Sequence, residues 1–302
     1  MNIDLKKIGT ENRNSRTLHI DKMSTEEMVR VINDEDKIVA FAVETALPQV
    51  VKVVDVIVTT FEAGGRLIYM GAGTSGRIGL IDAVECRPTF SVPDDMVQCV
   101  MAGGAKAMVK AVEGAEDNKM FGLEDLKAIQ LTSQDMVIGI AASGRTPYVI
   151  GGVEYAKKIG CQTACIVTTG QSELASLVAY PIEAITGAEP LTGSTRMKSG
   201  TAQKMICNML TTASMIKMGK VYENLMIDVQ ATNEKLVKRA ESILEEAAHI
   251  SNEEAKVKLL KYKSVKKALF SILSGISDEL TVDHFLESSQ GNIHKALKEV
   301  GK

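Results

Sequence analysis

A chain of 302 residues, 45% hydrophobic and 24% charged, can bury roughly three quarters of its unfolded surface and needs no staple to hold a core. A net charge of −3 and an aromatic share of 4% with no Trp exclude the basic footprint and stacking platforms of a nucleic-acid binder. With no apolar run of roughly 18 residues and no leader-like start, the chain is expected to be soluble, cytoplasmic and free of membrane partners.

The first twenty or so residues are polar, including Thr10-Glu11-Asn12-Arg13-Asn14, and read as an extended arm. Ser24, with Glu27 three residues on, has the form of a capping box and starts a helix. A longer apolar-periodic run from about Asp34 to Glu62 follows as a helix, and Pro48 within it predicts a kink or a break. After Gly64-Gly65 the rhythm changes. Candidate strands at 66–70, 96–101, 135–142, 163–168 and 180–186 are near-continuous in apolar residues, as in a parallel sheet covered on both faces. Helical patterns between them complete a three-layer, doubly wound α/β fold.

A long helix is expected from about Thr195 to Lys220, with Met205, Met209, Met215 and Met218 as core filler. From about Thr232 only helical periodicity remains, in one longer and several short segments. The lysines between Lys256 and Lys267 read as a solvated helix face. The division is therefore residues 1–63 as arm and helices on the core, 64–231 as the α/β core and 232–302 as a small C-terminal helical subdomain. Five scattered cysteines (Cys86, Cys99, Cys161, Cys165 and Cys207) read as buried free thiols in a reducing compartment. His19, His249, His284 and His294 are isolated, so no metal site is expected.

Two strand-to-helix loops carry chemistry. Gly71-Ala-Gly73-Thr-Ser-Gly76-Arg77 matches the spacing of a dinucleotide fingerprint. The strand that follows, however, ends in Val100-Met101-Ala102-Gly103-Gly104, without the acidic residue that would hold a ribose. The simpler reading is an anion cradle: glycines allow close backbone approach, the helix start supplies N–H groups, and Thr74 and Ser75 add hydroxyls. Ala142-Ser143-Gly144-Arg145-Thr146-Pro147 repeats that logic on a later strand, with Pro147 suited to a first helical turn. Two such loops at the carboxyl ends of parallel strands favour a phosphate monoester as the ligand.

These paired loops resemble those of the sugar isomerase (SIS) domain family, which holds sugar phosphates. The stretch Gly187-Ala-Glu-Pro-Leu-Thr-Gly-Ser-Thr-Arg-Met-Lys-Ser-Gly-Thr-Ala-Gln203 resembles the signature shared by N-acetylmuramic acid 6-phosphate etherases and the glucokinase regulatory protein. Thr10-Glu11-x-Arg13-Asn14, Ile32 through Asp36, Gly71 through Glu85, Val112 through Asp117 and Asn224 through Val229 also resemble the etherases. The similarity covers nearly the whole chain and is loosest after about residue 245.

The resemblance implies a SIS fold and an etherase working on a sugar phosphate. It carries phosphate binding to Ser75, Ser143 and Thr146, with Thr74 and the amides of Gly76 and Gly144 as helpers, and catalysis to Glu85 and Glu116. Arg87 stands where relatives often have Pro and removes no implied functional group. In the implied reaction the ether at C3 lies β to the aldehyde carbon of the opened sugar. Removal of the C2 proton expels lactate, and water then adds at C3. That route needs a base and an acid: by analogy Glu116 is the base and Glu85 the acid, and no cofactor is called for. Arg196 and Lys198 either face a carboxylate, a phosphate or another subunit, or cap the long helix in solvent. Related SIS proteins imply a homodimer. The alternatives are a non-catalytic sugar-phosphate sensor, whose family carries two SIS units on a chain about twice as long, and an aldose–ketose isomerase, which should lack the long signature. A SIS-type transcription regulator would need a basic N-terminal helix-turn-helix, against which Asp34-Glu35-Asp36 argues.

Overall fold

The computed structural model describes residues 9–110, 112–229 and 234–302. These form two compact units, one of residues up to 84 together with 94–211, the other of 85–93 and 212–302. No described helix is long and apolar enough to cross a membrane.

In the first unit, the described part of the arm is folded rather than extended. It makes short 3-10 turns at Gly9–Glu11, Ser15–Thr17 and Ile20–Lys22. The physical reason is local capping plus a docking contact: Asn14 accepts from the Arg16 amide (2.9 Å) and donates to the Ala188 carbonyl (3.1 Å), and the Thr17 hydroxyl donates to the Pro190 carbonyl (2.7 Å). The arm is thus tied to the signature segment.

Helix α1 (Thr25–Glu62) opens on the expected capping box, with the Ser24 amide donating to Glu27 at 2.7 Å and the Glu27 amide to Ser24 at 3.3 Å. It runs unbroken through Asp34 and Pro48, so the two expected segments are one helix. Pro48 removes one hydrogen bond and was expected to interrupt the helix. The buried stripe Val39, Val43, Ala46, Val50, Val53 and Ile57 continues in phase on both sides of it and holds the helix together.

A parallel sheet follows, built from β1 (Leu67–Gly71), β2 (Val97–Met101), β3 (Met136–Ile140), β4 (Gln162–Val167) and β5 (Tyr180–Glu183), in the order β2-β1-β3-β4-β5. Intervening helices are α2 (Gly73–Phe90), α3 (Lys106–Val109), α4 (Lys119–Ala128), α5 (Pro147–Ile159) and α6 (Glu173–Leu177), with α7 (Lys198–Lys217) after the sheet. Alternation assigns the faces. Ile68, Met70 and Val137 join Leu126, Tyr148, Val149 and Val153 of α4 and α5 in one buried cluster. Tyr69 points the other way, and its hydroxyl donates to Asp82 of α2 at 3.0 Å. The sheet is covered on both sides, as its apolar strands require.

The second unit contains a short hairpin of β6 (Val221–Tyr222) and β7 (Leu225–Met226), which sequence periodicity misses. Helices α8 (Glu234–Ala248), α9 (Asn252–Tyr262), α10 (Val265–Ser274), α11 (Glu279–Ser288) and α12 (Ile293–Glu299) complete its described part. Leu244, Ala255, Leu269, Phe270, Val282 and Ala296 are at the centre of their shared core. His294 stacks on Tyr222 at 4.8 Å, a packing role for an isolated histidine. The lysine run is not wholly a solvated face. Lys263, in the left-handed conformation, separates α9 from α10, and Lys266 turns inward to pair with Asp228 at 2.8 Å. Burial lowers the pKa of Lys266, and the Asp228 carboxylate opposes that shift.

Candidate functional site

The strand order places the crevice. β1 connects through α2 to β2 on one side, and β3 lies on its other side, so chain connections leave β1 and β3 in opposite directions. In open parallel sheets a ligand crevice forms outside the carboxyl ends of the strands at such a switch point. The two loops singled out in the sequence follow these two strands.

In the first loop, Gly73, Thr74 and Ser75 form the leading turn of α2, so their amides have no carbonyl one turn behind them within the helix. The Gly76 amide does not help: it donates to the Ala72 carbonyl at 3.1 Å, as the first ordinary helical bond. Gly76 contributes space instead, since a Cβ there would lie 2.8 Å from the Met101 side chain and 2.9 Å from the Gly71 carbonyl. Thr74 and Ser75 are partly exposed. The Ser75 hydroxyl donates to Gln203 Oε1 of α7 at 3.0 Å.

In the second loop, Thr146 is the N-cap residue of α5, and its side chain makes no capping bond, which leaves the hydroxyl for another acceptor. Pro147 removes the first amide of the helix, and the Tyr148 amide donates to the Glu116 carbonyl at 3.0 Å. The Gly144 amide is likewise engaged, with the Ala141 carbonyl at 3.1 Å. The amides of Gly76 and Gly144, expected as helpers, are both engaged within the chain: a helical bond takes the first and a turn the second. Ser143 is partly exposed, and its carbonyl accepts from Arg145 at 3.0 Å.

Glu116 is exposed in the loop between α3 and α4. It lines a cleft of about 230 Å³ together with Gly73, Arg77, Met101, Val112 and Glu113. Arg77 shapes this cleft by donating to the carbonyls of Ala107 (2.7 Å) and Met108 (3.1 Å), which holds the segment after β2 against α2. Glu116 is thus bound through its backbone to the second loop and shares a cleft with the first. Ser75, Ser143 and Thr146 do not line that cleft. Glu85 is exposed on α2 and belongs to the second unit. One turn before it, Asp82 is buried and accepts from Tyr69 (3.0 Å), Asn208 (2.6 Å) and Thr211 (3.2 Å). Burial raises its pKa, against the pull of those hydrogen bonds.

The signature segment is an internal brace. The buried Glu189 carboxylate takes the Lys198 and Ser199 amides at 2.9 Å each and the Ser199 hydroxyl at 2.7 Å, capping α7. Lys198 neither faces a ligand nor stays in solvent: it is 2% exposed and pairs with buried Glu35 at 2.6 Å. Arg16 reaches the other carboxylate oxygen of Glu35 at 3.1 Å, so the buried carboxylate is held between two cations. Arg196 is exposed. Sequence reasoning missed Arg77, Glu189 and Gln203 as site-shaping residues, although all three lie inside motifs it singled out. Nothing in their spacing announces which loop or helix they bind.

Fold and loops together define a SIS-domain protein. The "SIS domain" model matches residues 122–213, that of the "Glucokinase regulatory protein N-terminal SIS domain" residues 49–157, and that of the "C-terminal lid domain of glucokinase regulatory protein" residues 223–275. The solved c3406 protein of E. coli CFT073 superimposes with a TM-score of 0.50 at 16% identity, over 67% of this chain and 97% of that one, and so shares the fold. More specifically, the chain is 51% identical over 299 residues to the N-acetylmuramic acid 6-phosphate etherase of Clostridioides difficile (strain 630), covering 99% of this chain and 98% of the relative. It is 53% identical over 294 residues to that of Bacillus cereus (strain ATCC 10987 / NRS 248), covering 97% of this chain and all of the relative. The chain belongs to the N-acetylmuramic acid 6-phosphate etherase family.

Proposed function

We propose that this protein cleaves the D-lactyl ether of N-acetylmuramic acid 6-phosphate, releasing D-lactate and leaving N-acetylglucosamine 6-phosphate, in the catabolism of recovered cell-wall sugar. Full-length identity to etherases supports the reaction. The observation that carries the residue assignment is the position of Glu116, which shares a cleft with Gly73 and Arg77 while its carbonyl holds the start of α5.

In this reading the phosphate sits against the leading amides of α2 and the hydroxyls of Thr74, Ser75, Ser143 and Thr146. With the sugar ring open, Glu116 takes the C2 proton, which the neighbouring aldehyde acidifies. The electron pair forms the C2–C3 double bond as the C3–O bond breaks, and Glu85 gives a proton to the departing lactate oxygen. Water then adds to C3 of the unsaturated aldehyde, and a proton returns to C2. The enzyme is by this mechanism a carbon–oxygen lyase. Residues 64–231 are the sugar-phosphate core, 1–63 its N-terminal packing and 232–302 a helical subdomain. A cytoplasmic homodimer fits the family, and Phe41 and Val51, which α1 leaves exposed, are candidates for the subunit contact.

The test is D-lactate release from N-acetylmuramic acid 6-phosphate. Glu85→Ala and Glu116→Ala should each lower kcat by about 10²–10⁴-fold, the usual worth of a general acid or base. Run in heavy-oxygen water, the reaction should place label in the sugar C3 hydroxyl and none in lactate. Release at the parental rate by either variant would remove that glutamate from the mechanism. Label in lactate would replace elimination with hydrolysis at the lactyl carbon.

A further inference from the structure

Gln203 is fully buried on α7. Its Oε1 accepts the Ser75 hydroxyl at 3.0 Å, and its buried Nε2 has no hydrogen-bond partner among the described residues. A buried amide nitrogen left unpaired costs about 1–3 kcal/mol, so a native site that keeps one has a use for it. The arrangement also conflicts with the role proposed for Ser75. A hydroxyl has one proton. While Ser75 gives that proton to Gln203, it can show an incoming phosphate oxygen only lone pairs, and the two repel.

One rotation resolves both problems. The terminal torsion of a glutamine is broad and two-fold, so turning the amide over exchanges its oxygen and nitrogen at little cost. Nε2 then donates to Ser75 Oγ, and the hydroxyl proton is released toward the ligand. The carbonyl oxygen gives up its partner in exchange, a cost that the charge-assisted bond from Ser75 to the phosphate offsets. The resulting chain, amide to hydroxyl to phosphate, polarises each bond in the same direction.

We propose that Gln203 is a positioning residue for phosphate recognition: its buried side-chain amide holds the Ser75 proton in the empty site and, by turning over, donates to Ser75 when a phosphate monoester binds. This rests on the reading of Ser75 as a phosphate-binding residue, and it adds to that reading a buried residue that never touches the ligand.

The test is a double-mutant cycle on the complete protein, with N-acetylglucosamine 6-phosphate as the probe in calorimetry. Gln203→Met keeps the length of the side chain and removes both donor and acceptor. It should weaken binding about 10-fold by withdrawing support from a charge-assisted bond. In the lactate-release assay KM should rise by the same factor with kcat nearly unchanged, because the phosphate is held equally in ground and transition states. In the Ser75→Ala background, Gln203→Met should change binding by less than about 2-fold, since the residue acts only through Ser75. A 10-fold loss that persists in that background, or no loss beside intact Ser75, overturns the proposal. Unchanged binding by Ser75→Ala alone would instead overturn the reading beneath it, so the two failures are distinguishable. Should Gln203→Met not fold, Gln203→Leu serves the same cycle, with thermal melts of both against the parent.

Discussion

The loop after β1 enters α2 with the amides of Gly73, Thr74 and Ser75 in its leading turn. The loop after β3 enters α5 with Pro147 in the first position and the Tyr148 amide already given to Glu116. Both leave adjacent parallel strands at the same edge of one sheet, and their sequences look alike in hydroxyls and glycine. Their chemistry differs. The first can bind an anion with backbone N–H groups and a helix dipole. The second lacks an N–H at Pro147 and gives the Tyr148 amide to the Glu116 segment, so in the proposed reading it relies on the side chains of Ser143 and Thr146. On the reading proposed above, two similar motifs divide the work: one grips, and the other grips while positioning a carboxylate.

The sharpest way to break this comparison is to remove the hydroxyls. Ser143→Ala combined with Thr146→Val should cost about 3–6 kcal/mol in affinity for N-acetylglucosamine 6-phosphate, two hydrogen bonds to a charged group at about 1.5–3 kcal/mol each. Thr74→Val combined with Ser75→Ala, the matching double deletion at the first loop, should cost less, about 1.5–3 kcal/mol, because the amides beside them remain. Calorimetry reads both. Equal losses at the two loops would mean that the amides of α2 contribute nothing and the asymmetry is false. Thr146→Val should leave the melting temperature nearly unchanged, because its side chain caps nothing.

A smaller effect separates the glycines. Gly144 has φ +62, and a Cβ there would lie 2.2 Å from the Ser172 hydroxyl, whereas Gly73 has φ +52 with nothing within 4 Å. Gly144→Ala adds overpacking to a left-handed residue and should destabilise by about 2–4 kcal/mol. Gly73→Ala carries the backbone cost alone, about 1 kcal/mol. Thermal melts of the two variants would show whether the second loop is the more constrained.

How much of this could be read from the chain depends on the range of the physics involved. The capping box at Ser24 and Glu27, the strand edges and the two loops are local, and the sequence pattern finds them within one to three residues. Continuation of α1 through Pro48 depends on a stripe buried against distant strands, which no local rule contains. The same holds at the site. Thr74, Ser75, Ser143 and Thr146 are visible because hydroxyls and glycines cluster at strand-to-helix turns. Glu85 and Glu116 stand out only through family resemblance, since spacing does not distinguish them among 38 acidic residues. Engagement of the Gly76 and Gly144 amides, burial of Lys198 against Glu35, and the grip of Gln203 on Ser75 are set by the folded backbone and by partners that spacing does not reveal.

The contrast between the loops also requires that the strands beneath them be held alike, and the opposite edge of the sheet does this. Arg66, just before β1, donates to Asp135, just before β3, through its amide (2.9 Å), Nε (3.0 Å) and Nη2 (2.7 Å), while the Thr132 amide adds a fourth bond at 2.8 Å. Burial alone would raise the Asp135 pKa, but these donors outweigh it and hold the carboxyl below its ordinary value. A depressed carboxyl stabilises the fold above the unfolded-state pKa of about 3.9, and that contribution is lost as pH falls through the folded-state value. Asp135→Asn should therefore cost about 1 kcal/mol at pH 7, and its difference from the parent should vanish as the solution is taken to about pH 2. Urea melts across that range test the sign. Sugar-phosphate affinity at pH 7 should change by less than about 2-fold in the surviving folded protein, because the clamp holds both strands and belongs to neither loop. A change confined to one loop's contribution, read by repeating the Ser75→Ala and Ser143→Ala measurements in the Asp135→Asn background, would show that the strands are not equally held and that the division of work begins below the loops.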